Sequence, residues 1–146
     1  LHFRELFPVD VFLPNLEEAQ ALLGRKSEEE LFRGLCSYGR RVFLKLGAKG
    51  ALAMEGKRVL RIPGAPVEVK DTLGAGDAFD AGVIFGSLFG ASLGAQGVLG
   101  VVFGALSAAG LPPHQPTALR LAETIPLAER EEALAIIRDH WRNHVD

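Results

Sequence analysis

The sequence predicts an α/β fold, with a hairpin added to its sheet. Short apolar runs typical of strands alternate with segments of helical periodicity, and a glycine-containing turn separates two of the runs as in a hairpin. Residues 81–119 contain no Asp, Glu, Lys or Arg, which indicates two packed helices. The chain has 146 residues, of which 48% are hydrophobic and 23% charged, as expected for a single globular domain.

The first half of the chain predicts a strand, two helices and a three-stranded hairpin region. Residues 9–13 form a short buried strand ended by Pro14, and Asn15 then opens a helix that runs to about Leu23. Ser27 opens a second helix, with Leu31 and Leu35 on its inner face. Further strands are predicted at 41–46, 51–54 and 58–62, and a brief one at 67–69 after a proline-containing loop.

The second half predicts mainly helix. The uncharged region forms two helices, at roughly 76–89 and 93–109, and a last helix runs from about 128 to 143 with Leu134, Ile137 and Trp141 on one face. A transmembrane hairpin is the rival interpretation of the uncharged region. Each segment is shorter than the ~20 apolar residues that a span needs, is rich in glycine and lacks basic anchors, so we expect no membrane partner.

The charge balance and the single cysteine exclude several classes of function. A net charge of -2 offers no electrostatic reason to expect a nucleic-acid partner. Cys36 alone cannot form an internal disulfide or a multi-cysteine metal site, and we expect it to pack in the core. This cysteine usage suits a reducing compartment, and no basic segment followed by an apolar stretch opens the chain, so we expect a cytoplasmic location.

The segment DTLGAGDAFDAG, residues 71–82, is the strongest candidate for a functional site. It matches neither a phosphate loop nor a dinucleotide fingerprint. Gly74 and Gly76 can turn successive N–H groups inward where a helix begins, which suits an anion. Asp77 would repel a resting phosphate there. It either complements the helix dipole or takes a proton from an attacking hydroxyl.

Three blocks of the sequence resemble the ribokinase-like carbohydrate kinases, the PfkB family. The first is VEVKDTLGAGDAFDAG, which resembles the C-terminal signature of that family. The second is VFLPNLEEAQALLG, which is similar to the N-x-x-E segment, and the third is VFLKLGAKGALA, which is similar to a strand–turn–strand ending in L-G-x-x-G. The blocks occur in the family's order and spacing.

The resemblance implies a role for the residues of the glycine turn. Asp77 would be the catalytic base, and the N–H groups of Gly74, Ala75 and Gly76 would form an anion hole for the transferred phosphoryl group. Asp71 and the carbonyl of Leu73 resemble the loop that holds a monovalent cation, such as K⁺, in some members.

The resemblance also implies binding sites for ATP and Mg²⁺. The nucleotide would lie along Gly47, Ala48, Gly50 and Thr72. Asn15 and Glu18 would help hold Mg²⁺ through water, although an Asn followed three residues later by Glu is also a helix capping box.

Two positions depart from the family's usual residues. Lys45 stands where many members have Thr, and it can either reach phosphate or extend from the strand end into solvent. Members often carry Asn or His near the adenine, where this chain has Gly100, Val101 and Val102.

The implied fold is the C-terminal, nucleotide-binding half of a ribokinase-like three-layer α/β/α domain, so residues 1–146 are expected to form one incomplete domain without the lid and the N-terminal half. The implied reaction is ATP-dependent phosphorylation of a ribose-, fructose- or ketodeoxygluconate-type substrate. A non-catalytic nucleotide-binding or assembly fragment and a nucleoside or vitamin-precursor kinase are the alternatives. A missing half would leave apolar surface exposed, which favours self-association or a partner.

Overall fold

A computed structural model describes residues 7–142 and contains a four-stranded mixed sheet. Strand β1 (Val9–Phe12) pairs in parallel with β2 (Gly39–Lys45), and β2, β3 (Ala51–Glu55) and β4 (Arg58–Ile62) follow as an antiparallel meander. The helices are α1 (Leu16–Leu23), α2 (Glu28–Leu35), α3 (Ala75–Leu88), α4 (Leu93–Ala108), α5 (Gln115–Glu123) and α6 (Arg130–His140).

Helices cover both faces of the sheet, which makes three layers. Side chains of a strand alternate between faces. Val42 and Leu44 of β2 therefore pack in the core beneath α1 and α2, whereas Phe43 packs in the larger core beneath α3 to α6. Burial of both faces explains why residues 42–44 of β2 and 51–54 of β3 are continuous apolar runs rather than alternating ones.

Helices α3 and α4 pack against each other at very close range. Gly82 permits this approach, because a Cβ on Gly82 would lie 2.3 Å from the carbonyl oxygen of Leu99. Helix α4 lies between α3 and the sheet, and most of its residues are buried. Within residues 7–142, no helix combines the length and the apolar character that crossing a membrane would require.

A buried polar network joins this helix pair to the sheet. Gln96 is 1% exposed and donates from Nε2 to the carbonyl of Val83 (3.1 Å), while its Oε1 accepts from Arg41 of β2. Arg41 also donates to the carbonyl of Ala91 (2.8 Å) and to Glu55 Oε2 (2.9 Å). The hydrogen bond from Arg41 holds the pKa of Glu55 below its usual value, against the smaller opposing effect of burial.

The observed elements differ from the predictions at three places. Residues 67–69 form no strand, because the chain leaves the sheet here and the N–H groups of Lys70 and Asp71 donate to the carbonyl of Ala108 at the end of α4. Helix α5 was not predicted, and α6 begins two residues later than expected and ends before Trp141. Residue 143, the predicted end of that helix, lies outside the described residues.

Cys36 and β1 are more exposed than predicted. Cys36 is exposed and follows α2, where its Sγ donates to the carbonyl of Arg33, rather than packing in the core. Strand β1 pairs on one side only within the described sheet, and its residues are half-buried or exposed rather than buried.

Candidate functional site

The turn before α3 is built by short-range hydrogen bonds. The carboxylate of Asp71 accepts from the N–H of Leu73 (2.9 Å), and the carbonyl of Thr72 accepts from the N–H of Ala75 (3.1 Å). Gly74 caps the helix with a left-handed backbone (φ 82°), a conformation that glycine adopts without steric cost. The turn therefore places the start of α3 at the surface, with Asp71 and Thr72 exposed beside it.

The first turn of α3 leaves N–H groups available for an anion. Among the described residues, the N–H groups of Gly74, Gly76 and Asp77 have no hydrogen-bond acceptor, whereas that of Ala75 donates to Thr72. Free N–H groups and the positive end of the helix dipole attract negative charge. Asp77 is exposed in this first turn, so its carboxylate is accessible beside the same N–H groups.

Lys45, at the end of β2, reaches this helix start. Its Nζ lies 2.9 Å from Asp80 Oδ1, and the two side chains are 13% and 30% exposed. A Cβ built on Gly76 would lie 3.7 Å from the same Nζ. Lys45 therefore does not extend into solvent, and its ammonium group lies beside the first turn of α3.

Asp80 is the site residue that the sequence interpretation missed. Burial raises the pKa of the Asp80 carboxyl, the charges of Asp77 and Glu18 add to this, and the hydrogen bond and charge of Lys45 oppose it. The structure thus groups Lys45, Asp77, Asp80 and Glu18 in one electrostatic environment. The available signal was the spacing of Asp77 and Asp80, because residues three apart on a helix are neighbours.

Asn15 and Glu18 form the capping box that their spacing predicts. Asn15 Oδ1 accepts from the N–H of Glu18 (2.7 Å), and Glu18 Oε1 accepts from the N–H of Asn15 (2.9 Å). Within residues 7–142, no three His, Cys, Asp or Glu side chains form a cluster that could hold a metal ion. Asn15 pairs with Lys45 in an isolated parallel bridge, which brings the start of α1 to the end of β2.

A groove of about 390 Å³ runs along this edge of the sheet. Its lining includes Asn15, Lys45 and Gly47. Gly47 begins a 3₁₀ turn with φ 61°, is exposed, and has no atom within 4 Å of the position of a Cβ. The backbone of Gly47 is thus open to a ligand.

Gly50 has a structural reason to be glycine. Its φ is 93°, and a Cβ there would lie 1.9 Å from the carbonyl oxygen of Ile62. Ala48 between the two glycines is exposed, and its carbonyl lies close to Gly64. The two glycines of the L-G-x-x-G block therefore differ: Gly47 faces open space, and Gly50 allows β3 to pack against the end of β4.

The segment that departs from the family near the adenine is buried. Gly100, Val101 and Val102 lie inside α4, and a Cβ on Gly100 would lie 2.8 Å from the ring of Phe79. Leu73, by contrast, is 85% exposed.

Residues 3–110 match the profile of the pfkB family of carbohydrate kinases. The chain belongs to that family. It is 36% identical over 120 residues to a 1-phosphofructokinase of Rhodobacter capsulatus, a match that covers 77% of this chain and 38% of the relative. It is 39% identical over 85 residues to a 2-dehydro-3-deoxygluconokinase of Bacillus subtilis, covering 57% and 26%.

The fold agrees with solved structures of similar proteins. The adenosine kinase of Sinorhizobium meliloti superposes with a TM-score of 0.72 at 26% identity, over 83% of this chain and 39% of that one. The ribokinase-like α/β/α fold is therefore confirmed. The chain spans only about a quarter to two fifths of the length of these proteins.

Proposed function

We propose that this chain provides the nucleotide-binding and catalytic part of an ATP-dependent kinase that phosphorylates an alcohol group of a sugar or sugar acid. The proposed substrates are those of ribokinase, fructokinase or 2-keto-3-deoxygluconate kinase. The observation that carries the proposal is the start of α3, where an exposed carboxylate lies beside N–H groups without acceptors. Family membership and the names of the curated relatives support the reaction class.

In the proposed reaction, Asp77 is the general base. Its carboxylate takes the proton of the substrate hydroxyl as the hydroxyl oxygen bonds to the γ-phosphorus of ATP, and the bond from that phosphorus to the bridging oxygen breaks to release ADP. The turn of Gly74, Ala75 and Gly76 forms the anion hole, with the Gly74 and Gly76 N–H groups free to donate. Lys45 contributes a positive charge at the phosphates, and Gly47, Ala48, Gly50 and Thr72 lie along the nucleotide.

Asp77→Asn tests the base. The variant retains shape but cannot accept the proton, so we expect turnover to fall by about 10²–10⁴-fold with ATP affinity nearly unchanged. ATP binding is measured by calorimetry and turnover with a panel of sugars, sugar acids and nucleosides. Glu131→Gln is the matched control, because Glu131 is a first-turn acid of a different helix, α6. Equal losses of ATP affinity and turnover in Asp77→Asn would assign Asp77 a structural role.

The proposal includes Mg²⁺ and a monovalent cation. Asn15 and Glu18 are exposed and offer the oxygen ligands that Mg²⁺ prefers, and bound Mg²⁺ neutralises phosphate charge. We expect Glu18→Gln to weaken the Mg²⁺ dependence of ATP binding. Glu30→Gln is the control, because Ser27 and Glu30 form the same capping box at the start of α2. A K⁺ site at Asp71 and the Leu73 carbonyl predicts tighter ATP binding in K⁺ than in tetramethylammonium.

A second candidate is a nucleotide-binding module that acts only with a partner polypeptide or a second copy. Apolar side chains on the outer face of α3 favour it, because Ile84 and Leu88 are 56% and 72% exposed. An apolar cavity of about 470 Å³ that includes Phe85, Phe103 and Trp141 adjoins this face. ATP binding without turnover would support the module, and a monodisperse 15.7 kDa species in gel filtration would contradict its self-association.

A nucleoside acceptor is the third candidate, since the adenosine kinase noted above shares the fold. Turnover with nucleosides alone in the same panel would select it. A cytoplasmic setting, where ATP is available and Cys36 stays reduced, completes the proposal.

A further inference from the structure

The ion pair between Lys45 and Asp80 is largely shielded from solvent, as is the pair between Arg41 and Glu55. The side chains of Lys45 and Asp80 are 13% and 30% exposed, whereas those of the Lys70–Glu68 pair are 60% and 82% exposed. Exposed ion pairs are screened by water and contribute little to the free energy of folding. The Lys45–Asp80 pair joins residues 35 positions apart, from the end of β2 to the second turn of α3.

The geometry leaves the ammonium group of Lys45 able to bind a second anion. Among the described residues, Asp80 Oδ1 is the acceptor for Lys45 Nζ, and an ammonium group has three donors. Two donors therefore remain, and the nitrogen lies close to the first turn of α3, 3.7 Å from the position of a Cβ on Gly76.

A carboxylate partner helps to order a lysine as a phosphate ligand. Its flexible stem carries about 2 kcal/mol of rotamer entropy, which binding would otherwise have to overcome. A carboxylate that already holds the ammonium group removes part of that cost before the ligand arrives. The cost to the site is a further negative charge near Asp77 and Glu18.

We propose that Asp80 is a positioning residue of the phosphate site: it holds the Lys45 ammonium group beside the Gly76 turn, where that group contacts the terminal phosphates of the nucleotide. The inference rests on the proposed kinase function and adds a residue to it. Asp80 acts through Lys45, so changes at Asp80 affect phosphate binding only when Lys45 is present.

A double-mutant cycle with two ligands tests this role. Asp80→Asn and Asp80→Ala both remove the charge, but only Asn retains an oxygen that accepts from Lys45. We expect Asp80→Asn to bind ATP at least as tightly as the wild type, and Asp80→Ala about tenfold more weakly than Asp80→Asn, as for loss of one charge-assisted hydrogen bond. In a Lys45→Met background the two Asp80 variants bind ATP alike.

Adenosine is the second ligand, because it lacks phosphates. All variants are expected to bind adenosine within twofold of the wild type, whereas a purely structural ion pair changes the melting temperature and leaves the ratio of ATP to adenosine affinity unchanged. Lys57→Met, in the exposed β3–β4 turn, controls for the change in net charge.

The outcomes separate this inference from the proposed function. Wild-type protein that shows no preference for ATP over adenosine contradicts both. If the wild type prefers ATP but Asp80→Asn and Asp80→Ala bind ATP with equal affinity while Lys45 is present, only the positioning role is overturned.

Discussion

Gly82→Ala tests how closely α3 and α4 pack against each other. The new Cβ would lie 2.3 Å from the carbonyl oxygen of Leu99, 2.7 Å from its carbonyl carbon and 2.9 Å from Gly100 Cα. All three are backbone atoms, so no side-chain rotation relieves the contact. Since close carbon–oxygen contacts between helices lie near ~3.3 Å, the helices must separate by roughly 1 Å.

The expected loss of stability follows from two opposing effects. Overpacking a close-packed interior costs about 1–3 kcal/mol, and we take the upper end because the clash is with backbone. Replacing glycine by alanine inside a helix returns about 1 kcal/mol. We therefore expect the free energy of unfolding to fall by about 2 kcal/mol, and the melting temperature by about 4–8 °C for a chain of this size.

Urea unfolding followed by circular dichroism measures this change, with Gly34→Ala as the control. Gly34 is also helical, but a Cβ there meets only the side chain of Leu23, at 2.7 Å from Cδ1, and that end can rotate away. We expect Gly34→Ala to be as stable as the wild type or more stable. If Gly82→Ala were as stable as Gly34→Ala, the close packing of α3 against α4 at Gly82 would be contradicted.

Two further predictions concern acid stability and thiol reactivity. Arg41 lowers the pKa of Glu55 from its usual 4.5, so the stabilisation is present above pH 4.5 and is lost as pH falls through the lowered pKa. The difference in unfolding free energy between the wild type and Glu55→Gln should therefore be largest near neutral pH and disappear in acid. Unfolding series at several pH values measure this difference, and a difference that stays constant with pH would contradict the prediction. Cys36 is exposed, so a thiol reagent should label the native protein nearly as fast as the urea-unfolded protein, whereas strong native protection would contradict the exposure.

The capping boxes and the glycine turn could be predicted because they depend on neighbouring residues. Asn15 with Glu18, and Ser27 with Glu30, form their reciprocal hydrogen bonds as their three-residue spacing predicts. Helix α5 was missed although Pro116, in its first turn, is a residue that favours helix starts. The sequence pattern predicts no element between residues 109 and 128.

The strand predicted at 67–69 shows the limit of local patterns. Val67 and Val69 favour a strand, but a strand needs a partner, and the backbone just after this segment donates to the carbonyl of Ala108 at the end of α4 instead. Cys36 shows the same limit, because apolar neighbours on α2 did not indicate that the chain turns outward after Leu35.

Local chemistry thus dictated where α1 and α2 begin, and that an acid follows a glycine-containing turn at the start of α3. The tertiary structure alone decided that Lys45 meets Asp80 beside that helix start, and that α3 and α4 touch at Gly82. Capping and turn formation involve residues a few positions apart, whereas these contacts join β2 to α3 and one helix to the next. Their distances depend on how the packed layers settle together, which no short stretch of sequence specifies.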